Sequence, residues 1–192
     1  MAIISPPRPP VFNVPNQLTA ARLGLGLVLF LLIFLQQWIA CIGVFALAAF
    51  SDWLDGYIAR KQGISSTLGR ILDPLVDKVL ICGGYTFLIP LANEGSNVHP
   101  WMVTVVLSRE LIITSLRSFM ENMGATFGAD WLGKVKMGLQ CAALFAIFVA
   151  LQWDEVFFAW VRDILIYAML AATALSGLQY LWRAFALLKT PD

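Results

Sequence analysis

The sequence predicts an all-α integral membrane protein, folded as a bundle of six transmembrane helices with both termini on the cytoplasmic side. Of its 192 residues, 59% are hydrophobic and 13% are charged, whereas a soluble domain is about 45–50% apolar. The apolar residues form six runs, each long enough to cross a bilayer, because about 20 helical residues span its hydrocarbon core. The formal net charge of +1 supplies no bulk attraction for nucleic acid, so no nucleic-acid partner is expected.

The six predicted helices are bounded by polar or helix-stopping residues. They cover residues 17–36, 38–61, 69–91, 100–122, 132–151 and 157–188. Ahead of them, the proline-rich residues 1–15 are predicted to form an extended tail, which lacks the apolar core and cleavage site of a signal peptide. No internal repeat or soluble module interrupts the bundle, so residues 1–192 are expected to form a single membrane domain.

The distribution of positive charge predicts the orientation of the bundle. When the N-terminal tail is placed in the cytoplasm, Arg162 is the only one of the 13 Lys and Arg residues that falls on the opposite side. Cytoplasmic loops of membrane proteins carry an excess of Lys and Arg. We therefore expect the turns near residues 62–68 and 123–131 to lie in the cytoplasm, together with both termini.

Four aspartates interrupt the apolar pattern on either side of the turn between the second and third predicted helices. Asp52 and Asp55 share one face of the second helix, and Asp73 and Asp77 share one face of the third. An ionised Asp near a helix centre costs about 2.5–3.5 kcal/mol on insertion scales, so four neighbouring carboxylates need cations. Carboxylates without His or Cys favour Mg²⁺, Mn²⁺ or Ca²⁺ over zinc. The sequence therefore predicts a divalent metal site.

These aspartates belong to a longer motif in the same segment. Every fixed position of D-x2-D-G-x2-A-R-x8-G-x3-D-x3-D is matched by Asp52, Asp55, Gly56, Ala59, Arg60, Gly69, Asp73 and Asp77. The match resembles the signature of CDP-alcohol phosphatidyltransferases. An alcohol is a weak nucleophile until a base accepts its proton, and CMP leaves more easily when metal neutralises the diphosphate.

The resemblance implies roles for individual residues. It implies that Asp52, Asp55, Asp73 and Asp77 bind two Mg²⁺ or Mn²⁺ ions, and that Asp77 is also the catalytic base on the acceptor hydroxyl. It also implies that the head group of the CDP-lipid is contacted by Asn16, Thr19, Gly56, Arg60 and Ser66.

Basic residues on the fourth and fifth predicted helices suit an acceptor that carries a phosphate. Arg109 and Arg117 are eight residues apart, about two helical turns, so both can face one pocket. Lys134 and Lys136 open the fifth helix at the same side of the membrane. Because Arg forks match phosphate oxygens, we expect these four residues to bind the acceptor phosphate. The alternative for each is a simple positive anchor at the cytoplasmic surface.

The stretches PNQLTAAR, SRELIITSLRSFM and WLGKVKMGLQ resemble the phosphatidylglycerophosphate-forming branch of the family. This resemblance implies CDP-diacylglycerol as donor, glycerol 3-phosphate as acceptor, and an active site at the cytoplasmic face of a bacterial inner membrane. Two residues depart from that branch: Met137 stands where it often has Thr, and Gly26 where it often has Pro. Some members of the superfamily are homodimers, which the apolar composition permits.

Other interpretations of the sequence remain open. Within the same superfamily, the acceptor could be phosphatidylglycerol, as in cardiolipin synthases, or an inositol phosphate or serine. A non-enzymatic cation carrier or channel is the alternative of another class, because intramembrane acids often line ion pathways. Such a pathway needs polar residues through the midplane, whereas these acids cluster near one face. A metal-binding structural membrane protein is a third alternative.

Overall fold

The structure is a computed structural model that describes residues 14–62, 67–122 and 131–189. Within these ranges it contains helices and no β-strand, which confirms the predicted all-α class. The α-helices are α1 (Val14–Phe34), α2 (Trp38–Gln62), α3 (Thr67–Leu88), α4 (Pro100–Asn122), α5 (Trp131–Gln152) and α6 (Val156–Lys189). A 3₁₀ helix, Ile89–Glu94, follows α3 directly.

Prolines explain two boundaries that differ from the prediction. α1 begins at Val14 rather than at residue 17, so Val14 and Pro15 belong to the helix and not to the predicted tail. Proline is tolerated in a first turn because an N–H there would have no intrahelical partner. α3 ends at Leu88 rather than at residue 91, and the chain continues as the 3₁₀ helix that contains Pro90. A proline disfavours α conformation in the residue before it, which ends α3.

Three segments of the described chain are long and apolar enough to cross a membrane. They are Leu75–Glu94, Trp131–Gln152 and Val156–Phe185. Shorter apolar stretches cover Thr19–Phe34 and Trp38–Ser51 in the first two helices. These lengths and compositions are those of an integral membrane protein. The count of six membrane spans and the cytoplasmic position of both termini stay predictions.

The helices form one bundle in which the two halves of the chain interlock. α1 packs against α2 and α3, while α6 packs against α4 and α5. Contacts of α2 with α5, and of α3 with α4 and α5, join these groups. The rings of Phe45 and Phe148 meet edge to face across α2 and α5, with centroids 6.0 Å apart. The Tyr85 hydroxyl of α3 donates to the Gln140 carbonyl of α5 at 2.9 Å.

α1 and α3 approach each other closely because glycine lines their interface. A methyl group on Gly83 of α3 would overlap the ring of Phe30 on α1. That ring stacks on Phe87 of α3, with centroids 5.1 Å apart and planes 7° from parallel. Stacked aromatic rings beside a glycine hold the two helices at a fixed distance.

One end of the bundle is closed by a polar group of residues, called here the loop cluster: Gly95, Asn97, Arg162 and Asp163. Asn97 Nδ2 and Arg162 Nε both donate to Asp163 Oδ1, each at 2.8 Å. Arg162 Nη1 also donates to the Gly95 carbonyl. Gly95 and Asn97 have φ values of 109° and 53°, so the chain turns sharply between α3 and α4. The loop cluster ties this turn to the beginning of α6.

Candidate active site

At the opposite end of the bundle, Arg22 of α1 forms an ion pair with Asp77 of α3. Arg22 Nη1 lies 2.9 Å from Asp77 Oδ1, and Arg22 is only 3% exposed. One turn further along α1, a methyl group on Gly26 would be in ordinary van der Waals contact with Leu80 of α3, at 3.9 Å, so the two helices are neighbours there as well. A buried charge is stable only when it is paired. The predicted catalytic base therefore has a buried cation as its neighbour.

The four aspartates lie on the two helices that the sequence predicts for them. Asp52 and Asp55 are in the second half of α2, and Asp73 and Asp77 are in α3. Spacings of three and four residues keep each pair on one helix face. The side chains of Asp52, Asp55 and Asp73 lie outside the described residues, so the four-aspartate metal site stays a prediction. Among the side chains that are described, no three from His, Cys, Asp and Glu converge on one point.

Of the residues predicted to contact the CDP-lipid, Thr19 is the one whose side chain is described. It is buried on α1, one turn before the arginine that pairs with Asp77. Asn16 lies in the first turn of α1, and Gly56 and Arg60 lie in α2, with their surroundings outside the described residues. Ser66 lies outside the described residues altogether.

A second polar link joins α3 to α4. Lys78 Nζ donates to Thr114 Oγ1, and the Thr114 hydroxyl in turn donates to the Glu110 carbonyl at 2.6 Å. Lys78 follows Asp77 directly in α3, so α3 contacts α1 and α4 through two successive polar residues.

Glu110 is the acid at the centre of a buried basic group. Lys136 Nζ of α5 donates to Glu110 Oε1, and Arg109 Nη1 donates to the same oxygen at 3.2 Å. Glu110 is 8% exposed and Lys136 is 4% exposed, so both charges are removed from solvent. Two cations on one carboxylate leave one positive charge in excess. The structure thus brings together Arg109 and Lys136, two of the four predicted ligands of the acceptor phosphate.

The two arginines of α4 meet at one aromatic side chain of α6, Tyr180. Arg117 Nη2 donates to the Tyr180 hydroxyl at 2.7 Å, and its Cζ lies 5.5 Å from the ring centroid. Arg109 Cζ lies 5.7 Å from the same centroid, and Arg109 Nη2 donates to Ser176 Oγ at 3.1 Å. Cation–π contacts of this kind contribute about 0.5–2 kcal/mol each. Arg109, Arg117, Ser176 and Tyr180 are called here the arginine–tyrosine cluster.

Lys134 lies apart from these groups. Its side chain is exposed, whereas that of Lys136 is buried. Two residues along an α-helix are separated by about 200°, so these two lysines face opposite sides of α5. The expected role of Lys134 as a phosphate ligand stays a prediction.

Three buried nitrogens near these clusters have no hydrogen-bond acceptor among the described residues. They are Nε of Arg109, Nε of Arg117 and Nε2 of Gln140. Gln140 is 2% exposed and lies one turn from Lys136 on the same face of α5. A buried donor left unsatisfied costs about 1–3 kcal/mol. A ligand with several anionic oxygens, such as a phosphate, would satisfy donors of this kind.

Several residues of this end are not identified by the sequence alone. Arg22 is predicted there only as one of the cytoplasmic positive charges, although an arginine inside an apolar helix is itself a signal of an intramembrane ion pair. Ser176 and Tyr180 are four residues apart and share a face of α6. Nothing in the local sequence links them to arginines more than 60 residues away.

Comparison with known proteins identifies the class to which these helices and residues belong. The sequence model described as CDP-alcohol phosphatidyltransferase matches residues 12–186, almost the whole chain. The chain therefore belongs to the CDP-alcohol phosphatidyltransferase family, which confirms the resemblance inferred from the aspartate motif. Membership of this family makes it an enzyme of the CDP-alcohol phosphatidyltransferase class.

Individual relatives cover most of the chain. A protein of Bacillus subtilis (strain 168) named CDP-diacylglycerol--glycerol-3-phosphate 3-phosphatidyltransferase is 32% identical over 199 residues, covering 95% of this chain and 100% of that protein. A protein of the same name from Shigella flexneri serotype 5b is 34% identical over 186 residues, covering 91% of this chain and 96% of its own. Another from Pectobacterium atrosepticum is 34% identical over 145 residues, covering 71% and 76%.

Proposed function

We propose that the protein transfers the phosphatidyl group of CDP-diacylglycerol to the hydroxyl of glycerol 3-phosphate, giving phosphatidylglycerophosphate and CMP. The observation that carries the acceptor assignment is the buried group of cations around Glu110 and Tyr180, with donors that lack acceptors among the described residues. A small acceptor with a phosphate supplies the missing oxygens. The names of the relatives support the same donor and acceptor.

In the proposed reaction, Asp77 accepts the proton of the acceptor hydroxyl. The hydroxyl oxygen then bonds to the phosphorus that carries the diacylglycerol, and the bond from that phosphorus to the CMP oxygen breaks. General bases of this kind contribute about 10²–10⁴-fold to a rate. The hydrogen bond from Arg22 Nη1 supports this role because it fixes the orientation of the Asp77 carboxylate.

We propose that Asp52, Asp55, Asp73 and Asp77 hold two ions of Mg²⁺ or Mn²⁺. A donor set made only of carboxylate oxygens fits these hard cations. When bound, such ions neutralise the diphosphate and the departing phosphate of CMP. Arg22 bonds Asp77 Oδ1, so a metal ion at Asp77 would share this carboxylate with an arginine.

Arg109, Arg117 and Lys136 are the proposed ligands of the acceptor phosphate. Arg109 and Arg117 contact one side chain of α6, and Lys136 shares Glu110 with Arg109, so the three cations are linked through Tyr180 and Glu110. Lys134 is exposed on the same first turns of α5, where it attracts anions from solvent. Asn16, Thr19, Gly56, Arg60 and Ser66 remain the proposed contacts to the CDP-lipid head group.

We also propose that all six helices cross a bacterial inner membrane, with both termini and the active end in the cytoplasm. Support comes from the charges: the Arg22–Asp77 pair, Lys136 and Arg117 lie at one end, and Arg162 lies in the loop cluster at the other. Exposed apolar side chains on α1 and α2 suit lipid or a second copy of the chain, so a homodimer is compatible with this arrangement.

Turnover of the purified chain in detergent tests the proposed function. With CDP-diacylglycerol and Mg²⁺, we expect CMP release when glycerol 3-phosphate is added, and none after EDTA. Parallel reactions contain an inositol phosphate, serine or phosphatidylglycerol. Release with one of these alone would show that the acceptor assignment is wrong. If no acceptor supports release, the transferase assignment itself fails.

A pair of arginine variants tests the acceptor pocket. Arg117→Gln removes the cation that bonds Tyr180, and we expect it to raise KM for glycerol 3-phosphate about 10–100-fold, since a hydrogen bond to a charged group contributes about 1.5–3 kcal/mol. Arg162→Gln is the matched control, because Arg162 is also an arginine that bonds its neighbours but lies in the loop cluster at the other end of the bundle. Equal KM values for the two variants would exclude Arg117 from the pocket.

A further inference from the structure

Tyr180 is a buried tyrosine of α6 that contacts two arginines of α4. This helix packs against α4 and α5, and Tyr180 is 3% exposed. Its ring faces the guanidinium groups of both Arg109 and Arg117, and its hydroxyl accepts from Arg117 Nη2 at 2.7 Å. Two like charges on one side of α4 repel each other, and the negative face of an aromatic ring offsets part of that repulsion.

Ser176 provides a second, oriented contact one turn earlier on α6. Its hydroxyl donates to the Thr173 carbonyl at 3.1 Å, and its oxygen accepts from Arg109 Nη2, also at 3.1 Å. Because the hydroxyl hydrogen is directed at Thr173, the lone pairs of the oxygen are available to Arg109. Ser176 is fully buried, so solvent does not compete for this contact.

The aliphatic part of the Arg109 side chain also contacts α6. A methyl group on Gly177 would lie 3.4 Å from Arg109 Cγ, so the arginine stem packs on the α6 backbone. On the other side of the cluster, a methyl group on Gly133 of α5 would lie 3.9 Å from the Tyr180 hydroxyl. Gly177 of α6 and Gly133 of α5 thus both lie beside the arginine–tyrosine cluster, where an added methyl group would be in ordinary van der Waals contact.

These contacts use the Nη atoms of the arginines and not their Nε atoms. Arg109 gives Nη1 to Glu110 and Nη2 to Ser176, and Arg117 gives Nη2 to Tyr180. Nε of Arg109 and Nε of Arg117 have no acceptor among the described residues. We propose that Tyr180 is a positioning residue that holds Arg109 and Arg117 as one phosphate-binding unit, with Ser176 as its second support. This inference rests on the proposed function, since it assigns α6 a part in acceptor binding.

Steady-state kinetics of α6 variants test the inference. Tyr180→Phe keeps the ring and removes the hydroxyl, and we expect it to raise KM for glycerol 3-phosphate about tenfold, the equivalent of one hydrogen bond to a charged group. Ser176→Ala should act similarly on Arg109. Tyr180→Leu also removes both cation–π contacts and should raise this KM about a hundredfold.

Two further kinetic constants are the KM for CDP-diacylglycerol and kcat at saturating acceptor. They distinguish a loss of arginine positioning from general damage to the enzyme. Both should stay within about twofold of wild type in Tyr180→Phe and Ser176→Ala, because a positioned arginine pair contributes acceptor binding without contacting the reacting atoms. Tyr167→Phe is the matched control: this tyrosine lies on the same helix and is exposed. Thermal unfolding in detergent identifies any variant that fails to fold, and if Tyr180→Leu does so, the other two variants still decide the question.

The outcomes distinguish this inference from the proposed function. If wild-type protein turns over glycerol 3-phosphate and Tyr180→Phe has the same KM for it, Tyr180 has no positioning role. A fall in kcat alone, or an equal rise in both KM values, would also overturn the inference while leaving the proposed function intact. If wild-type protein uses no phosphate-bearing acceptor, the proposed function fails first and the inference fails with it.

Discussion

The two ends of the bundle both contain buried or half-buried charges, yet they use them differently. In the loop cluster, Asp163 accepts from Arg162 and Asn97, and Arg162 also bonds the Gly95 carbonyl, so the group closes on itself. At the end that contains Asp77, buried nitrogens of the described residues are left without acceptors, and none of these nitrogens belongs to the loop cluster. Paired charge closes the loop end, whereas the other end has buried donors without acceptors among the described residues, as the proposed phosphate site requires.

The largest effect expected from this comparison is on catalysis. Asp77→Asn keeps the shape of the side chain but removes the proposed base, so CMP release should fall about 10²–10⁴-fold. Asp163→Asn is the matched change at the other end, since Asp163 also bonds an arginine, and its turnover should stay near wild type. Initial rates of CMP release at saturating substrates measure both. If Asp77→Asn retained more than a tenth of the activity, another group would have to be the base.

The next largest difference is in stability: loss of an acidic side chain should lower the free energy of unfolding more at the end that contains Glu110 than in the loop cluster. Glu110→Gln removes the negative charge that Lys136 and Arg109 share. Two buried cations are then left without a carboxylate, and we expect the folding free energy to fall by about 3–5 kcal/mol. Asp163→Asn should cost about 1 kcal/mol, because Asp163 is partly exposed. Thermal unfolding in detergent measures the difference.

A double variant shows whether the Glu110–Lys136 pair serves stability or binding. Glu110→Leu with Lys136→Met replaces both charges by apolar groups, which is often neutral for stability. We expect it to lose less stability than Glu110→Gln, because only Arg109 is then left without the carboxylate, and yet to have a raised KM for glycerol 3-phosphate. A double variant that bound the acceptor normally would show that Lys136 is structural.

The smallest effect on the kinetics is expected from the backbone of the loop cluster. Gly95 has a φ of 109°, which an L-residue adopts at a cost of about 1–2 kcal/mol, so Gly95→Ala should lower the unfolding temperature slightly. Both KM values should be unchanged, because this residue lies at the end of the bundle away from Asp77. A change in KM without a change in stability would mean that the two ends are coupled.

The helices and the aspartate motif could be predicted because their signals are local. An apolar run and a spacing of three or four residues determine a helix and its faces, so α2, α4 and the helical positions of Asp52 and Asp55 agree with the sequence. Pro90 is a helix-stopping residue, but the apolar residues on both sides of it favour a predicted helix that continues past Leu88. The ends of these helices therefore depend on the backbone restrictions that proline imposes, which a hydropathy pattern does not contain.

The acceptor side of the site could be predicted only in part. Arg109 and Arg117 were recognisable as cations on one helix, but their partners Ser176 and Tyr180 are 67 and 63 residues away. Lys134 and Lys136 look equivalent in sequence, and only the packing of α5 makes one exposed and the other buried. Contacts of this kind depend on how α4, α5 and α6 assemble, which one sequence does not specify.

α6 is a single helix that runs from the loop cluster to the arginine–tyrosine cluster. At about 1.5 Å per residue, Arg162 and Tyr180 are held about 27 Å apart along its axis. Contacts of α6 with α4 and α5 keep the Tyr180 ring beside Arg109 and Arg117 at that distance. A slip of α6 by one turn, about 5.4 Å, would carry the ring past both guanidinium groups. One uninterrupted helix thus separates the charges that close the loop end from the charges that are proposed to bind the acceptor.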